Sequence, residues 1–382
     1  MKLNKWTYSL ASAGLISLGS AAHAEEAASQ LLTALSGTQI SGYASVSYVN
    51  ALGADGPLVG RAPYAPGGGN FNDGFRLDVI GLSLNKGTTA GELSAGYSVN
   101  ALIGEDALGY SDIAGIGSDE FTLQSAHLDL HAPVGNGLDL TLGHFDTIVG
   151  YEVVAPGANP NYTRSYGFFT EPFTHTGVKA DYALNDMVSL TAGVANTNGG
   201  VTSINTRPLT GGGNYEGLTT LGAISIDLDD SAGALSGSNI YFAITNGTGD
   251  FGGGDITHYY SSLTLPTPAE GVDVGFSWDY SAQAVGYAAA YGIYATVAPA
   301  DSDFSVNLRG EYANSNNGTF GLDGIDEDLF AITATLNYNL FENLLTRLEV
   351  RYDWDAAPQG FGSAGDLDDS QWLIALNAVY SF

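Results

Sequence analysis

No cysteine occurs in the 382 residues, so thiol nucleophiles, zinc–thiolate sites and a disulfide framework are all excluded. Basic residues are nearly as scarce: 11 Lys and Arg stand against 41 Asp and Glu, a formal charge of −30. Affinity for nucleic acid depends on Lys and Arg displacing counterions from phosphates, so neither DNA nor RNA is a partner. Charged residues of both signs make up 14% of the chain, against about a quarter in ordinary soluble domains. The 44% hydrophobic and 11% aromatic content also excludes an acidic disordered chain. Past the N-terminal region no apolar run reaches the roughly 18 residues a transmembrane helix needs. A membrane location would therefore demand a closed sheet, the other structure that satisfies its own backbone in lipid. Six His residues are present, and none sits in a G-x-S-x-G or H-E-x-x-H motif, so the chain reads as neither an enzyme nor a cofactor or metal protein.

At the N-terminus, Lys2 and Lys5 precede a moderately apolar stretch from Leu10 to Leu18, and Ala22-His23-Ala24 supplies a small-x-small cleavage site. This pattern predicts a secretory signal over 1–24, hence export to the outer membrane of a Gram-negative-type bacterium if the remainder forms a barrel. Residues 25–37 make a short periplasmic segment, and 38–382 the barrel itself.

The remainder is dominated by segments of about ten residues in which apolar side chains alternate with small or polar ones. Successive side chains of a strand point to opposite faces, so this is a sheet with one oily and one wet surface. At the C-terminus Trp372, Ile374, Leu376, Ala378, Tyr380 and Phe382 share one face, and Gln371, Asn377 and Ser381 the other. Just before it, Leu344, Leu348, Val350, Tyr352 and Trp354 oppose Arg347, Glu349, Arg351 and Asp353. Sixteen such stripes can be counted. The one beginning at Phe75 changes phase between Val79 and Ile80, which predicts a β-bulge. The fold class read from this is all-β, a transmembrane antiparallel up-and-down barrel of about 16 strands. That is the porin size, at which side chains no longer fill the interior.

Connection lengths support the same topology, because outer-membrane barrels alternate short periplasmic turns with longer external loops. Seven of the eight odd-numbered connections, among them 51–74, 102–120 and 146–174, are longer than every even-numbered one. The exception, at 281–282, is either a tight external hairpin or a misplaced boundary. Tyr, Trp and Phe gather at the ends of stripes, where an interfacial girdle would put them. A soluble β-sandwich or propeller would alternate too, but it would not explain that placement.

One block is distinctive: Gly143-His144-Phe145-Asp146-Thr147-Ile148-Val149-Gly150-Tyr151-Glu152, then Asn159-Pro160-Asn161-Tyr162-Thr163-Arg164-Ser165-Tyr166-Gly167, then Glu171-Pro172-Phe173-Thr174-His175-Thr176-Gly177. With Gly42-Tyr43, Phe75-Arg76-Leu77-Asp78 and the Arg347–Asp353 run, it resembles the OmpL-like β-barrel porins, or type two porins. The resemblance implies an outer-membrane channel for ions and small polar solutes. It also implies that the third external loop, 146–174, folds into the lumen as a constriction, and that the assembly is a homotrimer, although nothing in the sequence encodes its interface.

The loop's length and its Pro156, Pro160 and Pro172 argue for order. In the lumen, Asp146, Glu152 and Glu171 would form an acidic side facing Arg309, Arg347 and Arg351 on inward strand positions. The alternative is that these carboxylates anchor the loop by pairing with Arg164 or with backbone amides, and the two roles are compatible. His144 and His175 flank the block and are read as hydrogen-bonding rather than metal-binding. The external connections carry 18 acidic residues against Arg61, Arg164 and Arg207, a field that favours cations at the mouth. Acidic runs such as Asp323, Asp326, Glu327 and Asp328, or Asp366, Asp368 and Asp369, could instead hold divalent ions against lipopolysaccharide, though neither has calcium-loop spacing. The partners expected are therefore the lipid bilayer and lipopolysaccharide, permeating solutes, and the barrel-assembly machinery through the last strand, which ends in Phe382. The competing function is a non-conducting structural or adhesive outer-membrane barrel.

Overall fold

A computed structural model of the chain describes residues 37–52, 58–59, 70–71, 74–107, 121–198, 217–248, 254–267, 269–283, 286–316, 319, 327–356, 361–363, 366–368 and 370–382. The predicted signal, most of the 25–37 segment and much of the external acidic sequence lie outside these residues.

Sixteen strands form one closed antiparallel barrel. They are β1 (Gln39–Leu52), β2 (Gly74–Lys86), β3 (Ser94–Ile103), β4 (Phe121–Ala132), β5 (Leu138–Asp146), β6 (Thr174–Ala183), β7 (Val188–Ala195) and β8 (Thr219–Asp227). There follow β9 (Asn239–Thr248), β10 (Asp255–Pro266), β11 (Val272–Gln283), β12 (Gly286–Val297), β13 (Phe304–Ser315), β14 (Glu327–Phe341), β15 (Leu344–Asp355) and β16 (Ser370–Ser381). Each strand pairs with its sequence neighbours, and β1 closes the ring on β16 from Tyr43↔Ser381 to Leu52↔Trp372. Reciprocal 2.9 Å bonds between the backbones of Gly42 and Phe382 extend that seam to the last residue. Closure leaves no open edge, as a sheet in hydrocarbon requires.

The two faces differ as the alternation predicts. Outward positions expose large apolar groups, among them Ile332, Leu336, Leu348, Ile374 and Leu376, while the residues between them are buried and polar: Thr333, Thr335, Arg347, Glu349, Arg351, Gln371 and Asn377. Outward aromatics form a nearly continuous chain across β12 to β16, running Tyr291–Tyr312–Phe330–Trp354–Tyr352–Trp372 with centroids 4.5–5.8 Å apart. Such stacks suit a membrane–water interface, where the ring is greasy and the rim wet.

The phase change in β2 is a bulge. Its pairing with β1 passes from Ser45↔Val79 to Val46↔Leu77, so Asp78 is the extra residue. Outward Phe75 and Leu77 then stay in phase with outward Leu82 and Leu84, while Asp78 and Val79 both turn inward and are buried. On the same pair, Tyr43 lies over Gly81, where a Cβ would sit 2.3 Å from the ring. A larger residue at 81 would displace the aromatic.

Two connections depart from the expected bounds. The eleventh and twelfth strands pair through Gln283↔Gly286, so two residues separate them, three residues later than the hydrophobic stripes place the link. The β9–β10 ladder likewise runs to Thr248↔Asp255. Its connection is shorter than the β8–β9 turn, which holds a 3-10 segment at Asp230–Leu235. In both ladders the final pairs are made by backbone groups of polar or small residues, which carry no hydrophobic signal.

Candidate functional site

Strands β13 and β15 carry an unusual inward ladder. On β13 it is Arg309 and Glu311; on β15 it is Arg347, Glu349, Arg351 and Asp353. Between them β14 contributes Thr333 and Thr335, because Arg309 pairs with Thr333, Thr333 with Arg351 and Thr335 with Glu349. All eight are nearly inaccessible, Arg309 at 1% and Arg351 at 0%. So many buried charges are sustainable only if each is paired and hydrogen-bonded, and the segment joining β5 to β6 supplies the partners.

That segment, 147–173, packs its back against the ladder. The Arg309 guanidinium donates to Glu152 Oε1 at 2.7 Å, to Glu311 Oε2 at 2.7 Å, and to Thr163 O at 2.7 Å and Thr163 Oγ1 at 2.9 Å. Arg351 donates to Arg164 O at 3.0 Å and pairs with Glu311 at 3.0 Å and Asp353 at 2.8 Å. Arg347 reaches Pro156 O at 2.9 Å and Asn159 O at 2.5 Å. The wall carboxylates serve the loop's amides in turn. Glu349 accepts from Tyr162 N at 2.6 Å and Thr163 N at 2.9 Å, and Glu311 accepts from Tyr166 N at 2.7 Å. Within the loop, Glu152 accepts from Ser165 N at 2.6 Å, and Asn159 ties itself to Val153 and Ala155. An irregular backbone buried this deeply has no sheet to satisfy it, and the ladder takes that part.

Three more contacts fix the loop's position. Tyr162 Oη donates to Asp78, the bulge residue of β2, at 3.0 Å. Tyr241 Oη on β9 donates to Ile148 O at 2.6 Å. Tyr151 stacks on Tyr294 at 4.1 Å and occupies the space left by inward Gly275, where a Cβ would meet its hydroxyl at 2.0 Å.

The expected site residues thus occupy four settings. Glu152 and Arg309 are in direct contact, both buried, so their fields cancel locally. Arg347 and Arg351 hold loop carbonyls, and buried Arg164 donates to Tyr162 O and Val154 O within its own loop. Asp146, exposed at the end of β5, lies apart from the ladder and accepts from Gln124 at 3.1 Å. Glu171 sits near Gly150 on the loop and Asp279 on β11. Withdrawal from water, then the Asp279 and Glu152 charges, holds its carboxyl well above the usual carboxylate range. The histidines are hydrogen-bonded: His144 to Thr176 at 2.8 Å, and His175 to Thr147 at 3.1 Å and Thr197 O at 3.2 Å. Among the described residues no cluster of His, Asp and Glu is arranged to hold a metal ion. Of the acidic run near 323–328, Asp328 accepts from Tyr312 at 2.7 Å; Asp323 and Asp326 lie outside the described residues. Glu311 is the ladder partner that sequence reasoning missed, although its place two residues after Arg309 puts it on the same face.

Across from the loop a cavity of about 720 Å³ remains. Its wall is the inward face of β4 to β10, with Gln124, His127, Thr141, Lys179, Asp181, Thr191, Asn239 and Tyr241. Its other bank is the loop, where Ile148, Val153, Val154 and Ala155 of the first limb face the space together with Glu152 and Glu171, and Asp146 at the end of β5 lines it too. The loop's residues 147–158 include a single charge, Glu152, and it is turned to Arg309.

Solved porins share this architecture. An anion-selective porin from Comamonas acidovorans aligns with a TM-score of 0.55 at 15% identity, over 90% of this chain and 99% of that one. OprB of Pseudomonas putida aligns at 0.62 and 10%, over 93% and 97%. The trimer form of OmpT from Vibrio cholerae aligns at 0.55 and 12%, over 90% and 99%. At such identities the likeness is one of fold. No curated protein sequence matches the chain. The family model described as "Putative beta-barrel porin-2, OmpL-like" matches residues 38–382, from the start of the barrel to the final residue, and the chain belongs to that family.

Proposed function

We propose that this barrel is a porin in which 147–173 is the constriction, and that ions and small polar solutes pass between the loop's first limb and the β4–β10 wall. The observation that carries this reading is the cavity beside a loop whose Glu152 and Arg164 are spent on anchorage. Glu152, Arg309, Arg347 and Arg351 then set the position of the constriction, while the wall sets its electrostatics. That wall bears Asp129, Asp139, Asp181 and Asp227 against Lys179, with His127 and His131 beside them. The excess of carboxylates supports a modest cation preference, reinforced by the acidic external sequence. An N-terminal signal would export the chain, the last strand would present it to the barrel-assembly machinery, and external carboxylates would meet lipopolysaccharide and its divalent ions. A homotrimer is the assembly we favour, since one of the similar porins is solved in a trimer form.

Planar-bilayer recording tests this reading. Stepwise currents are expected, with a reversal potential of cationic sign in a salt gradient. Asp181→Asn should lower the cation-over-anion permeability ratio about twofold. Zero or anion-directed selectivity would contradict the electrostatic argument, and a folded but silent barrel would favour a structural or adhesive role.

A further inference from the structure

Resting on the constriction reading, we infer that the passage prefers small zwitterionic solutes with an apolar flank, of which the α-amino acids with aliphatic side chains are the simplest. The argument starts from the unlike banks of the cavity. The loop bank offers Ile148, Val153 and Val154, with Val153 47% exposed, beside Glu171 and a Glu152 that is already paired with Arg309. An aliphatic rim at a narrow point has little to offer an ion or a sugar, and it favours a solute that can lay hydrocarbon against it.

The wall bank is organised differently. The pairing of β4, β5 and β6 places Asp129, Thr141 and Lys179 in one row, since Asp129 pairs with Thr141 and Thr141 with Lys179. Two strand spacings put the acid and the base about 10 Å apart across the row, with a hydroxyl between them that donates to Asp129 at 3.2 Å. The next inward row is His127, Gly143 and Gly177, so β5 and β6 carry no side chain there and the His127 imidazole is that row's polar group on the cavity wall. A carboxylate, a hydroxyl and an ammonium in one row, opposite an aliphatic rim, match a molecule that carries both charges at one end and hydrocarbon at the other.

Lys179 is engaged with Asp181 at 2.6 Å, and Asp181 also accepts from Thr191 at 2.5 Å. Both side chains are partly open to the cavity, at 21% and 37% exposure. An incoming carboxylate can therefore exchange for Asp181 on the Lys179 ammonium, leaving Asp181 its Thr191 bond, while the solute's ammonium turns to Asp129. Exposed charge pairs are weak, so the exchange costs little and the solute is not trapped, as passage requires.

Swelling of liposomes containing the purified protein tests this, with L-valine, L-serine and D-arabinose as solutes. Valine is expected to enter about two to five times faster than arabinose, the effect of roughly one methylene in contact with the rim. Val153→Ser combined with Ile148→Ser should bring the valine-to-serine rate ratio down to that expected from size alone. Lys179→Gln should instead lower both amino acids relative to arabinose. Valine entering no faster than arabinose, or a valine-to-serine ratio unmoved by the rim substitutions, would overturn the inference while leaving the channel reading intact. Failure of all three solutes to enter would overturn the channel reading itself.

Discussion

Replacing Arg309 with methionine is expected to destabilise the barrel by about 3–5 kcal/mol, the usual cost of removing one member of a buried charge network. Glu152 and Glu311 would be left buried without their shared cation, and Thr163 O would lose its donor. The loss should appear as a lower urea midpoint for the protein refolded in lipid vesicles. Because the same guanidinium joins loop to wall, single-channel records of the variant should show larger and noisier steps than the parent. Adding Glu152→Gln and Glu311→Gln should recover part of the stability, since neutral side chains at those positions no longer demand a counter-charge. A variant as stable as the parent would mean that the ladder does not hold the loop.

The second large effect concerns the opposite face. Val350 lies between Arg351 and Glu349 in sequence but points outward, paired with Ala334 and Ile374. Val350→Arg is expected to cost about 2–4 kcal/mol, the penalty for a cation on the lipid face near mid-membrane, with a corresponding fall in the fraction that folds into vesicles. The same arginine at Thr191, on the inward face, should fold normally. Equal folding of the two variants would place Val350 in water or in a dry protein core, and the assignment of faces would fail.

Much of this was legible in the chain. Alternation fixes which residues share a face, and a phase slip of one residue in the Phe75 stripe marks the bulge, because a bulge is the way a strand can change phase and keep its oily side out. The consequence of that bulge was not legible: Asp78 turns inward to meet Tyr162, 84 residues away. The charged ladder shows a similar division. Parity puts Arg309, Arg347 and Arg351 in the lumen, and the Pro-rich, aromatic 146–174 sequence marks an ordered loop. Whether those guanidiniums face water or backbone depends on how closely the loop approaches the wall, a tertiary distance that no spacing encodes. Val153 and Ala155, on the loop's first limb, read in sequence as ordinary aliphatics, and their place beside the cavity emerges only from the folded loop. The end of the β11–β12 pairing lies outside the stripes for a simpler reason: backbone pairing continues to Gln283 and Gly286, whose side chains carry no hydrophobic signal.

The absence of cysteine makes one measurement especially direct, because each introduced thiol is unique. Thr191 and Leu190 are adjacent on β7, one facing the cavity and the other exposed on the outer surface. With Thr191→Cys in a planar bilayer, a membrane-impermeant charged methanethiosulfonate is predicted to reduce the current in discrete steps. With Leu190→Cys, whose thiol would lie in hydrocarbon, the current should not change. Block at Leu190→Cys, or an unchanged current at Thr191→Cys, would contradict a barrel whose outer face meets lipid and whose inner face encloses the conducting water.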